Sequence, residues 1–378
     1  MIYVLHLISA LGVGGEAGRL ADLVRRTDGR RFHHAVVSMT EAGSVGEELA
    51  AAGVEVHALG MKRGVPSPAK TVPLVHLIRR WRPQIIHCWM YHANLLGLLA
   101  GKAGGVRHVV WGIACSDLDF ARYRRLTQWT AWLGARLSSQ ADIIILNSEA
   151  GRRVHATLGY DKSRMVVIPN GFDLQLFKPD PAARRSVRSE LGLTLETPLI
   201  GLLARFDPMK DHVTFFKTVG LIARRNPTVH FLLAGEGITS QNSDLARIIG
   251  ENCPRELVHL LGLRRDIPRL TAALDIACLS SSFGEGFPHV VGEAMACEIP
   301  CVVTDVGDCA YIVDKTGTIV APGDYSGMAD AWTRILAMSA DDRQALGRAG
   351  RQRVAALFSA ADITKRYEEL YAEVGRGA

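Results

Sequence analysis

A chain of 378 residues is longer than a single hydrophobic core usually sustains, so two domains are expected. Hydrophobic residues make up 48% and charged ones 22%, which excludes a disordered or fibrous chain. The formal net charge of +6 is a mild, dispersed basic excess, compatible with anionic substrates or an anionic membrane face and too small to argue for nucleic acid.

Short apolar or β-branched runs alternate with helical stretches, the pattern of parallel sheets flanked by helices. Strands are predicted at 2–8, 35–38, 54–59, 85–88, 108–111, 143–146 and 165–168, then at 199–204, 229–234, 258–261, 276–279, 301–304 and 318–320. Turn formers and prolines crowd "NGFDLQLFKPDPAARRS" (170–186), which reads as an inter-domain linker. The expected layout is a first domain over 1–175, a linker over 176–190, a second domain over 191–358 and a closing helix over 359–378. That helix carries Ile363, Tyr367, Leu370, Tyr371 and Val374 at helical spacing, a stripe expected to cover the first domain. Both domains are expected to be α/β, Rossmann-like and doubly wound, facing each other across a cleft lined by strand C-termini. The seven cysteines form no disulfide or zinc framework, so reduced thiols are expected. With no basic leader and no apolar run near the roughly eighteen residues of a membrane span, the protein is expected in the cytoplasm, or at the inner face of its membrane.

The first strand runs into Gly12-Val13-Gly14-Gly15-Glu16-Ala17-Gly18 and a helix pattern. Free amides and the helix dipole make such a turn an anion site. The same letters fit a loose dinucleotide fingerprint, with Glu41 as ribose acid, or a plain tight turn. Residues 121–137, "ARYRRLTQWTAWLGARL", put Leu126, Trp129, Trp132 and Leu133 on one broad face with Arg122, Arg125 and Arg136 around it. Either an interfacial helix on anionic lipid or an amphipathic core helix fits. In "ARFDPMKDH", Arg205 and Lys210 follow a buried strand, a fork and a mobile point charge suited to a diphosphate; solvated loop charges are the alternative.

The stretch "SSSFGEGFPHVVGEAMA" (280–296) sets Glu285 in a Gly-flanked loop and Glu293 inside the apolar helix that follows. Gly284 and Gly286 let backbone approach a ligand, and Pro288 suits the first helical turn. A carboxylate accepts from sugar hydroxyls while a helix N-terminus favours phosphate. Diphosphate plus vicinal hydroxyls describes a nucleotide sugar.

With seven residues between them, Glu285 and Glu293 resemble the E-x7-E motif of retaining family 4 glycosyltransferases, which have the GT-B fold. The resemblance runs nearly the whole length, through "IILNSEAGRRVHATLGY", "VIPNGFD", "ARFDPMKDH", "LLAGEG", "LLGLRRDIPRLTAALDIACLSS" and "TDVGD". It implies that Glu293 binds the donor ribose and Glu285 the transferred sugar, near the amides of Gly286 and Phe287. It implies further that Arg205 and Lys210 hold the diphosphate, helped by Gly14 and Gly15, while Gly262, Leu263 and Arg264 lie against the base. Three departures stand out: Glu16-Ala17 where the family has GGAE, Glu298 in "ACE" where it has ACG, and no histidine in "VVWGIACSDLD" where many members contact the sugar. Either Trp111, Ser116 or Asp117 takes that role or it is absent, and His92, in "CWMYHAN", is a second acceptor-side candidate, with a packed histidine as its alternative. Asp117-Leu118-Asp119 matches the D-x-D metal motif of the other large transferase class, a common chance match, and no metal or other cofactor is expected to be required.

The resemblance thus implies a retaining transferase moving a hexose or N-acetylhexosamine from a UDP- or GDP-sugar to a glycan or lipid-linked hydroxyl, in bacterial surface polysaccharide synthesis. A non-catalytic nucleotide-sugar-binding subunit and a GT-B nucleotide-sugar epimerase are the rival readings.

Overall fold

The computed structural model describes residues 1–12, 15–62, 68–116 and 125–376, which fall into two units: Met1–Gly171 with Ala360–Ala378, and Phe172–Ser359. Among the described residues the first unit has a seven-stranded sheet of β1 (Ile2–Ile8), β2 (Phe32–Ser38), β3 (Glu55–Ala58), β4 (Ile85–Trp89), β5 (His108–Ile113), β6 (Ile143–Leu146) and β7 (Met165–Val167). The order is β3-β2-β1-β4-β5-β6-β7, all parallel. Strand β1 feeds both faces by alternation: Leu5 and Leu7 join one core with Leu74, Leu98 and Ala131, while Val4 and Ile8 join the other with Leu20, Val24 and Tyr371. Helices Pro68–Trp81, Tyr91–Gly104, Arg125–Leu137 and Glu149–Thr157 therefore cover one face, and Gly15–Arg26, Gly43–Ala51 and Ala360–Arg376 the other.

The helix Ala360–Arg376 buries Tyr367 and Tyr371 over three histidines of neighbouring strands, His6, His34 and His87. Register sets His6 directly opposite His87. The Trp89 indole donates to His6 Nδ1 at 3.2 Å, so the other His6 nitrogen carries the proton and donates to His34 Nδ1 at 2.9 Å. The Tyr371 hydroxyl meets His87 Nδ1 at 2.7 Å.

The second unit has β8 (Leu199–Leu203), β9 (His230–Ala234), β10 (Val258–Leu260), β11 (Ile276–Leu279), β12 (Cys301–Thr304) and β13 (Thr318–Val320), in the order β10-β9-β8-β11-β12-β13, all parallel. The chain passes between the units at 171/172 and 359/360. The expected linker over 176–190 is mostly a helix, Pro181–Glu190, belonging to the second unit. Its prolines and polar residues are a helix start: Asp180 accepts from the amides of Ala182 and Ala183 at 2.9 Å each, and Pro181 fills the first turn. Val187 is then fully buried, and the buried Arg188 meets Asp275 at 2.7 Å and the carbonyl of Thr194 at 3.0 Å.

Glu298, the departure from ACG, sits at φ 61° just after helix His289–Ala296, the left-handed conformation that a Cβ penalises. Glu298→Gly is expected to stabilise the second unit by about 1 kcal/mol, read from the midpoint of a urea melt. No change or a loss would show that side-chain contacts of Glu298 outweigh the backbone strain.

Candidate functional site

In the second sheet the chain order reverses between β8 and β11, and ligands of such sheets bind beyond the strand C-termini at that point. The loop after β8 carries Arg205 and Lys210, and the loop after β11 carries Glu285. Fold topology thus brings together three side chains up to eighty residues apart in the chain.

Two aspartates in series fix the first loop. Asp207 accepts from the Met209 amide at 2.9 Å, and Asp211, at φ 46°, caps helix His212–Arg225 through the amide and hydroxyl of Thr214 at 3.0 and 2.6 Å. Between them Lys210 is turned inward and buried, and its ammonium meets Glu285 Oε1 at 2.5 Å. The same oxygen accepts from Ser281 Oγ at 2.5 Å. The two loops are also stitched by backbone: Ser282 donates its amide to the Met209 carbonyl at 2.9 Å, and Ser280 Oγ donates to the Lys210 carbonyl at 2.7 Å. From β12, Thr304 Oγ1 donates to the Ser281 carbonyl at 2.6 Å. Gly307, at φ 62°, crosses the Glu285 carbonyl so closely that a Cβ would lie 2.0 Å from its oxygen. Glu285 is therefore held from three strands.

The remaining sequence candidates fall into two groups. Arg205 lies at the same loop, exposed and paired with Asp207 at 2.9 Å. Glu293 is half-buried on helix His289–Ala296, whose first turn has no side-chain cap. Gly286 lies at the mouth of that helix, its carbonyl accepting from the Asp308 amide at 2.9 Å. Pro288 stands at the helix cap, one position before the expected first turn, because its ψ of 124° is extended. The Phe287 ring is a core group packed between Phe172 and Phe358, so only its backbone can serve a ligand. Gly262, at φ 66°, and the exposed Leu263 follow β10, whereas Arg264 is committed elsewhere: it holds Asp266 through two bonds of 2.8 and 2.7 Å and Glu190 at 2.7 Å.

In the first unit Gly15 opens helix Gly15–Arg26 and is exposed, while Gly14 lies outside the described residues, as do Asp117 and Asp119. Trp111 is not a ligand-facing group. It is fully buried in the core under the helices Tyr91–Gly104 and Arg125–Leu137, because inward alternation of β5 puts it there. Ser116 is half-buried after β5, and His92 is half-buried at the start of helix Tyr91–Gly104, where burial lowers its pKa. Ser281, Thr304 and Asp207, which position the Lys210–Glu285 pair, have no sequence signal beyond being small polar residues at strand ends.

A buried ammonium and carboxylate beside an exposed guanidinium and uncapped helix amides can receive a phosphorylated, hydroxylated ligand. Comparison with known proteins gives the class of protein. The family described as Glycosyltransferase Family 4 matches residues 13–176, and the family described as Glycosyl transferases group 1 matches residues 197–338. With a glycosyltransferase domain matched in each unit, the chain is a glycosyltransferase of GT-B fold.

Among its relatives is the Escherichia coli UDP-Gal:alpha-D-GlcNAc-diphosphoundecaprenol alpha-1,3-galactosyltransferase, 25% identical over 70% of this chain and 69% of that one. The putative glycosyltransferase EpsF of Bacillus subtilis is 24% identical over 80% and 79%. A Mycobacterium tuberculosis D-inositol 3-phosphate glycosyltransferase is 30% identical over 58% of this chain, which spans only 46% of its length. The fold matches that of Anabaena HepE in complex with UDP-glucose, with a TM-score of 0.85 at 22% identity over 99% of this chain and 100% of that one.

Proposed function

We propose that the protein is a retaining transferase that moves a hexose or N-acetylhexosamine from a UDP- or GDP-sugar to a hydroxyl of a glycan or lipid-linked acceptor, in bacterial surface polysaccharide synthesis. The observation that carries this reading is the buried Lys210–Glu285 pair beside Arg205 at the switch point of the second sheet. The E. coli relative, which by its name uses UDP-Gal and a diphosphoundecaprenol-linked sugar, favours a UDP donor and a lipid-linked acceptor. In this reading the sugar–phosphate bond breaks with oxocarbenium character, and charge grows on the diphosphate, where Lys210, Arg205 and helix amides stabilise it. The acceptor hydroxyl attacks from the leaving-group face and passes its proton to a phosphate oxygen. Glu293 receives the ribose hydroxyls and Glu285 the sugar, and the protein's own cations do the work that a metal ion would do at the leaving group.

The test is a panel of UDP- and GDP-sugars, without added metal, scored by thermal shift and donor hydrolysis. One donor is expected to stabilise the protein and to hydrolyse slowly. Glu293→Ala is expected to weaken its binding by about 1–3 kcal/mol. Binding of a donor that never turns over, with or without acceptor lipids, would favour a binding subunit instead; turnover to an epimer would favour an epimerase.

A further inference from the structure

The basic excess is not dispersed after all. Residues 56–141 hold twelve Lys and Arg against two acids, Asp117 and Asp119, whereas the rest of the chain holds 32 basic and 36 acidic residues. The fold then concentrates it. The four helices on one face of the first sheet, Pro68–Trp81, Tyr91–Gly104, Arg125–Leu137 and Glu149–Thr157, contain eight basic residues and one acid, Glu149, which Arg152 pairs at 2.7 Å. The opposite face, Gly15–Arg26, Gly43–Ala51 and Ala360–Arg376, contains eight acids and six basic residues.

On this basic face Trp129, Trp132, Leu133 and Arg136 form an exposed stripe, with Trp129 66% and Trp132 47% accessible. The two indoles meet edge to face at 5.5 Å, and the Arg136 guanidinium lies 4.3 Å from the Trp132 ring. On the adjoining helix Leu99 is 61% exposed, one turn from the exposed Lys102. Lys102 reaches across to Gln140, and Arg79 from the third helix donates to the Ala103 carbonyl at 2.9 Å, so the cations bridge the helices over a continuous surface. Among the described residues, none of Arg79, Arg80, Lys102, Arg125 and Arg136 is paired with a carboxylate.

We propose that this face docks on an anionic phospholipid surface, with Trp129, Trp132, Leu133 and Leu99 entering the headgroup boundary and the surrounding Arg and Lys on lipid phosphates. Indole rings favour the membrane interface, and long basic side chains reach headgroups while their stems lie in the apolar layer. Charge complementarity selects this occupant. A second copy paired through the same face would bring two strongly basic surfaces together. A nucleic-acid backbone would satisfy the cations and leave the aliphatic stripe unburied. No helix among the described residues is long and apolar enough to cross a membrane, so the contact is peripheral.

The experiment is co-sedimentation of the full chain with phosphatidylcholine vesicles, plain or with about a third phosphatidylglycerol, together with quenching of tryptophan emission by brominated lipid. It contains neither donor nor acceptor, so its outcome is independent of the sugar-transfer reading. Binding is expected to the anionic vesicles alone, to fall with salt, and to show quenching. Each cation near an anionic surface is worth about fivefold, so R79Q/R80Q/K102Q is expected to bind about a hundredfold more weakly. W129S/W132S is expected to lose the quenching and at least about tenfold in affinity. Both variants should keep the wild-type thermal melt; if the first does not fold, the salt series on the wild type supplies the electrostatic test. Equal binding to neutral vesicles, variants that bind like wild type, no vesicle binding, or duplex DNA that outcompetes lipid would each overturn the proposal.

Discussion

Lys210→Met is expected to be the most damaging single substitution in the second unit. It leaves the Glu285 carboxylate, 5% exposed, without its ammonium partner, and breaking a buried pair in this way costs about 3–5 kcal/mol. On the proposed mechanism the same change also removes a cation that stabilises the charge developing on the leaving group, at a cost of about 10²–10³ in rate. The two effects separate in the double variant Lys210→Met/Glu285→Gln. Neutral partners of similar size are expected to recover most of the urea-melt stability and none of the transfer rate. Activity that returned along with stability would show that the pair only holds the loops together.

Mild acid is expected to unfasten the helix Ala360–Arg376 from the first unit. Burial holds His34 down to about 4, and His6 and His87 well below the ordinary 6.5, with Arg19 and the neighbouring histidines adding repulsion. The hydrogen bonds act in the same direction. A second proton on His6 would point at the Trp89 N–H, which already donates to that nitrogen. For a base whose folded pKa is lowered, the unfolded chain binds more protons between the folded value and about 6.5. Stability is therefore complete above about 6.5 and is lost as the pH falls below it. Three such groups lose about 4 kcal/mol per pH unit together, against a total stability of about 5–15 kcal/mol for a domain. Hydrogen exchange at pH 7 and pH 5, corrected for intrinsic rates, measures this directly. The amides of Ala360–Arg376 should lose protection ahead of β8, β9 and β11. Unchanged protection at pH 5 would mean that the cluster accepts protons without opening.

The strands were legible to within a few residues because buried parallel strands are nearly continuous apolar runs, and such runs resist confusion with helix when Gly and Asp bound them. The start of β2 was not: His33 and His34 read as polar, and only the sheet makes His34 a buried, hydrogen-bonded group. The segment 176–190 failed for a similar reason, since Asp180-Pro181 is at once a loop signal and a helix start. In the site, Arg205, Lys210, Glu285 and Glu293 could be picked out from their position after a buried strand or beside glycines. The mutual burial of Lys210 and Glu285 could not, because 75 residues separate them and the β8–β11 adjacency joins them. Trp111 was misjudged because a strand residue and a loop residue at a strand end look alike until the register is known.

By itself the sequence determined the alternation of strand and helix, hence two parallel α/β sheets, and the residue types able to meet a phosphorylated sugar. It also contained the long acid-poor segment of the first unit, since charge counts need no coordinates. What tertiary structure decided is which of these residues share a place. Parallel strands joined by crossovers make neighbours of distant segments, so the pairing of Lys210 with Glu285 and the clustering of His6 with His34 and His87 follow from strand order. Whether a tryptophan is core or surface is likewise settled by packing: Trp111 lies wholly inside, while Trp129 and Trp132 stand out on the basic face. Local spacing fixes the side of an element on which a residue lies; only the neighbouring elements decide whether that side meets protein or solvent.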